Sequence, residues 1–113
     1  MGKNHLHILW TNDNVLTAEN MVMLYAINAK KKNWWEEVTV IIWGATAKIA
    51  VEDEKLRSLI QDGIESGVHF SACKACADKL GTTDQLLAMG VEVLYWGEPL
   101  TKLIKDAQPL LTI

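Results

Sequence analysis

The stretch GVHFSACKACADKLG, Gly67 to Gly81, holds both cysteines of the chain, Cys73 and Cys76, three positions apart. Its first half, VHFSA at residues 68–72, is a short apolar run of the kind that forms a strand. A helix is predicted to begin near Cys73. The stretch therefore reads as a strand running directly into a helix, with a thiol at the junction. The same grammar recurs on both sides of it. HLHILW at 5–10, VTVIIW at 38–43, VEVLYW at 91–96 and the closing PLLTI are further short apolar runs.

Amphipathic helices lie between these runs. Val15, Ala18, Val22, Tyr25 and Ala29 share one face at helical spacing, widened by Met21. A second helix is predicted from about Glu52, with Leu56, Leu59, Ile60 and Ile64 inward. Glu52, Asp53 and Glu54 fall in its first turn, where the helix dipole favours anions. TTDQ from Thr82 has the spacing of a capping box. A last helix has Pro99 near its first position and is expected to bury Leu100, Leu103, Ile104 and Ala107. Repeated strand–helix alternation predicts an α/β sandwich on a mostly parallel sheet. Ligands of such sheets bind beyond the carboxyl ends of the strands.

The totals set limits. A chain of 113 residues, half of them hydrophobic, suits one domain spanning 1–113 with a real core. A net charge of −3 with 22% charged residues gives no basic face for nucleic acid. Lys30, Lys31 and Lys32 form the one basic run, at a predicted helix end where positive charge suits the dipole. No apolar run reaches membrane-spanning length, and the N-terminal MGKNHL lacks the Ser or Thr of a myristoylation signal. A soluble, cytoplasmic protein without nucleic-acid or membrane partners is the expectation. A reducing compartment argues against a purely structural disulfide. There is no GxGxxG and no P-loop to hold a nucleotide.

At the carboxyl ends, three runs finish in Trp10, Trp43 and Trp96, and the fourth delivers the cysteines. Indole rings are thus expected to wall a pocket around a thiol, or else to pack beneath the loops. Gly44 and Gly97 follow two of the Trp residues and allow sharp turns. Lys48, just after the Gly44 turn, is a candidate to face an anionic sulfur species, with a solvated lysine as the plainer reading. Trp34 and Trp35 belong to the opposite edge.

A cysteine in the first turn of a helix meets unpaired amides and the positive dipole end, which favour the nucleophilic thiolate. Cys73 is the better placed of the two, and Cys76 lies on the same helical face. Four readings fit the pair: small core residues, zinc ligands together with His69, a thioredoxin-like dithiol, or a carrier of sulfane sulfur. Zinc lacks a fourth ligand. The thioredoxin-like reading lacks a cis-proline loop, because Pro99 and Pro109 are the only prolines.

The ordered pieces VTVIIWGATAKIAVED, IESGVHFSACKACADKLG and LLAMGVEVLYWG resemble the DsrE/DsrF-like family of small sulfur-relay proteins. Trp43-Gly44, Gly67, Val68, Cys73, Gly81, Gly90, Val91 and Val93 carry the resemblance. It implies a three-layer α/β/α sandwich with a five-stranded parallel sheet. It implies a homotrimer, homohexamer or mixed oligomer. It also implies sulfur held as a persulfide on Cys73, taken from a donor protein and handed to an acceptor, with no cofactor and no metal. Cys76 departs from the family's minimal pattern, either as a second thiol that resolves the persulfide or as a bystander. The expected function is a sulfur carrier or sulfurtransferase. A Cys73/Cys76 redox module and a non-catalytic oligomeric binding protein are the alternatives.

Overall fold

A computed structural model describes residues 4–113. The first three residues, on which the reading against N-myristoylation partly falls, lie outside the described residues. Five strands form one wholly parallel sheet: β1 (His5–Trp10), β2 (Glu37–Ile42), β3 (His69–Cys73), β4 (Glu92–Leu94) and β5 (Leu110–Thr112). Their order is β4-β3-β2-β1-β5. All five expected strands are present, with ends shifted by up to two residues.

Register decides which side chains share a face. Ile8 pairs with Val40, and Val40 with Phe70. Alternation then puts Leu6, Ile8, Trp10, Val38, Val40, Ile42, Phe70 and Ala72 on one face. All are buried. Against them pack α1 (Val15–Thr17), a π-helical stretch (Ala18–Met23), α2 (Leu24–Lys31), α3 (Thr46–Glu52), α4 (Glu54–Glu65), α5 (Lys74–Leu80) and α6 (Thr83–Ala88). Ala26, Ala47, Ala50 and Ala77 are fully buried there, so small side chains let the helices approach closely. Gly63 serves the same end, since a Cβ on it would lie 2.7 Å from the Phe70 ring.

The second face carries α7 (Gly97–Lys105) and completes the three layers. The path of α7 follows from the topology. β4 and β5 occupy opposite edges of a parallel sheet, so the connection must cross from the carboxyl end of one edge to the amino end of the other. It crosses diagonally, and Leu100 and Leu103 pack toward Ile41, Cys73 and Trp96. The amino half of this face stays polar: His5, Thr39, His69 and Glu92 meet there.

Several local expectations need correcting. The helix expected from about Glu52 begins at Glu54, with only Glu54 of the three acidic residues in its first turn, and a separate helix that was not expected precedes it. α3 ends at Glu52, and Asp53 takes an extended conformation whose side chain accepts the Leu56 amide at 2.9 Å as the N-cap of α4. The π turn inserts a residue into the first helix and rotates its inner face. Met23 is therefore fully buried, while Met21 is 36% exposed. The capping box at Thr82 does not form: no side-chain cap bond is made, and Thr83 instead bonds Asp78. Ile104 and Ala107 face outward, the latter past the end of α7 at φ 52°. Among the described residues no helix is long and apolar enough to cross a membrane.

Candidate thiol site

Cys73 is both the last residue of β3 and the N-cap of α5, with φ −67° and ψ 117°. An extended residue feeding a helix puts its side chain beside first-turn amides that have no acceptor within the helix. No side-chain bond caps this helix, so those amides are left to whatever approaches the junction. The Cys73 side chain falls on the α7 face of the sheet, beside Ile41 and Trp96, and is only 4% exposed.

Cys76 sits one turn on, half-buried, with its thiol close enough to that of Cys73 for the two to influence each other. Burial pushes its pKa up first, and the contact with Cys73 adds to that. The Gly44 amide and Lys79 pull more weakly the other way. Cys76 is thereby held as a thiol, which is a weaker nucleophile than a thiolate. Both cysteines are free. Gly44 reaches Cys76 with its backbone N–H because φ is +69° there, a conformation that side chains rarely adopt. Thr46 sets up that turn: its hydroxyl donates to the Trp10 carbonyl at 2.8 Å and accepts the Trp43 amide at 3.0 Å. The sequence reading missed Thr46, although a Thr two residues past a turn glycine is a local bonding signal.

A cleft of about 590 Å³ opens over Cys73, walled by Trp43, Tyr95, Trp96 and Pro99, with Glu98 at its edge. Of the three Trp residues expected here, Trp43 and Trp96 are present. Trp10 is not: it is fully buried on the opposite face, and its indole N–H donates to the Asn12 carbonyl at 3.0 Å. Lys48 is exposed on α3 and is not part of the walls. The Lys74 ammonium holds Asp78 at 2.9 Å and lies 5.8 Å from the centre of the Tyr95 ring, and it is not among the walls. Among the described residues the only charged side chain lining the cleft is the carboxylate of Glu98.

Trp96 is fixed from behind. Its indole N–H donates to the Ser71 hydroxyl at 2.7 Å, and Ser71 donates to Glu92 Oε1 at 2.7 Å. His69 Nε2 reaches the same oxygen at 3.2 Å. A carboxylate only accepts, so His69 donates from Nε2; when Nε2 carries the ring's single proton, Nδ1 accepts the Thr39 hydroxyl at 3.2 Å. Thr39 then accepts from His5 Nε2 at 2.7 Å. With that single proton on Nε2, the directions of the whole chain follow from one fixed donor, the indole, and one fixed acceptor, the carboxylate.

This order excludes a serine nucleophile of the hydrolase type. There the imidazole stands between serine and carboxylate; here the carboxylate stands between serine and imidazole. His69 is likewise committed to Thr39 and Glu92 rather than to the cysteines. Among the described residues no three His, Cys, Asp or Glu side chains are grouped as a metal would need.

Comparison with known proteins follows the same lines. Residues 10–113 match the DsrE/DsrF-like family. A solved protein of unknown function from Bacteroides thetaiotaomicron, BT1422, is 35% identical, with 97% of this chain and 95% of that one covered and a TM-score of 0.95. The YchN protein of E. coli superposes with a TM-score of 0.71 over 96% of this chain and 99% of its own, at 16% identity, a likeness of fold. No curated protein matches.

Proposed function

Because the chain belongs to the DsrE/DsrF-like family, we propose that it carries sulfane sulfur as a persulfide on Cys73 and relays it from a donor protein to an acceptor protein. The observation that carries this reading is the position of Cys73: a helix N-cap at the floor of a cleft walled by Trp43 and Trp96. In the loading step the Cys73 thiolate attacks the outer sulfur of a donor persulfide. A new S–S bond forms to Cys73, the donor's S–S bond breaks, and its electron pair leaves on the donor as a thiolate. No external oxidant or reductant is needed. Unloading is the reverse exchange onto the acceptor's thiolate.

Cys76 modulates this chemistry. As a thiol it lies beside the Cys73 sulfur. Once deprotonated it can attack Cys73 in the persulfide, forming a Cys73–Cys76 disulfide and releasing hydrosulfide. The contact between the two thiols also favours a second reading, a dithiol–disulfide redox module. An oligomer is part of the proposal as well. Leu24 and Trp34 are each more than half exposed and line one shallow depression with Met21 and Tyr25, an apolar patch that a homotrimer or homohexamer would cover.

The test is intact mass after incubation with a sulfane-sulfur donor. The wild type is expected to gain one sulfur atom, Cys73→Ser none, and Cys76→Ser to keep the gain. A glutathione-buffered disulfide with no persulfide at any stage would select the redox module. A silent Cys73→Ser variant would select a non-catalytic binding protein.

A further inference from the structure

All three histidines of the chain gather on the α7 face of the sheet, and a cavity of about 370 Å³ lies between two of them, His5 and His7, and α7. His5 and His7 stack with ring centres 4.1 Å apart. Trp96 meets His7 edge-on at 6.2 Å, and Pro99 and Leu103 close the other side. His7 is buried, and its Nδ1 has no hydrogen-bond partner among the described residues. A buried polar atom left without a partner costs on the order of 1–3 kcal/mol, so its presence calls for an explanation.

We propose that this cavity is a binding site, separate from the thiol cleft, for a small, uncharged, planar heteroaromatic molecule bearing one hydrogen-bonding group. Size, shape and charge each argue for that class. The volume lies at the small end of ligand pockets. The walls are ring faces and edges with an aliphatic floor, which favour a flat partner. Among the described residues the cavity presents no free charge. Lys102 and Asp106, the ionic groups at its rim, hold each other at 3.0 Å. His7 is kept neutral at ordinary pH, chiefly by burial and secondarily by its neighbours His5 and His69. A charged ligand would lose its hydration with nothing to replace it.

The site is also preformed. Trp96 is pinned by Ser71 and His5 by Thr39, each at 2.7 Å, so little ordering is left for a ligand to impose. Trp96 and Pro99 are shared with the thiol cleft, so the two compartments sit back to back.

Indole is a suitable probe, and indene is its isostere without the N–H. In a titration followed by NMR, indole is expected to shift the Trp96 indole N–H and the His7 ring signals together and saturably. Cys73→Ser should leave that binding unchanged, which separates this site from the proposed sulfur chemistry. Leu103→Trp, which fills the cavity, should abolish it. His7→Phe keeps the walls and loses the polar atom. It should weaken indole by about fivefold while sparing indene, the size of one modest hydrogen bond. No saturable shift would overturn the proposal. So would shifts confined to Trp43 and Tyr95, or unaltered binding in a folded Leu103→Trp protein. So too would equal effects of His7→Phe on the two probes.

Discussion

The two faces of the sheet are built on different principles. The face under α1 to α6 is closed by alanines and branched aliphatics packed to contact, and nearly every residue on it is fully buried. The face under α7 has one diagonal helix, a ladder of hydrogen-bonded polar side chains, and two cavities meeting at Trp96. The first face holds the fold. The second is free to carry chemistry because the first does not depend on it.

Four variants or conditions probe that division, taken from the largest effect down. Phe70→Ala should cost about 3–5 kcal/mol of stability in denaturant unfolding, as a large side chain lost from a tight core. Cys73 in the folded fraction should still accept sulfur. A comparable loss of uptake per folded molecule would mean that the faces are coupled.

Acid acts on the other face. His7 is held at about 4 in the folded protein, against an ordinary value near 6.5. The unfolded chain therefore binds the extra proton first as pH falls. Stability should be flat above about 6.5 and decline between 6.5 and 4, by up to about 3 kcal/mol. His5, lowered mainly by burial, adds to the same slope. His7→Phe should flatten most of the decline in pH-dependent unfolding; an unchanged slope would place the acid sensitivity elsewhere.

Ser71→Ala leaves the Trp96 indole N–H unpaired in a buried place, a cost of about 1–3 kcal/mol. Because Trp96 walls the thiol cleft, the variant should also change the rate at which Cys73 is alkylated. A stability loss without any change at Cys73 would show that the ladder serves only the fold. Cys76→Ser is the mildest change. Its expected effect on sulfur uptake is no more than about fivefold, since a serine hydroxyl replaces one neighbouring thiol and leaves Cys73 in place. Complete loss of uptake would promote Cys76 to an essential role.

Much of the closed face was legible in the sequence. The five apolar runs became five parallel strands because their composition and spacing fix them locally. The junction at Cys73 was legible for the same reason. What escaped were features governed by a single residue or by distant pairing. Helix α3 was not anticipated, because it is only seven residues long and Asp53, one extended residue, separates it from α4. The π turn shifts burial from Met21 to Met23 without any change in composition.

Trp10 was misplaced although a signal was present. It has the strand parity of Leu6 and Ile8, which put it on the closed face, whereas Trp43 has the parity of Ile41. The histidine face could not be read at all. His5 and His7 meet His69 only because β2 lies between β1 and β3, and Glu92 joins them from β4. Strand order and register are long-range facts that one sequence does not display.

The most direct test of the account is to locate the sulfur. The protein is exposed to a sulfane-sulfur donor, its persulfides are trapped by alkylation, and the peptides are mapped by mass. The account predicts the trapped persulfide on Cys73, with Cys76 recovered as a plain thiol. A persulfide found on Cys76, or on neither residue under conditions that load a known carrier, would contradict it.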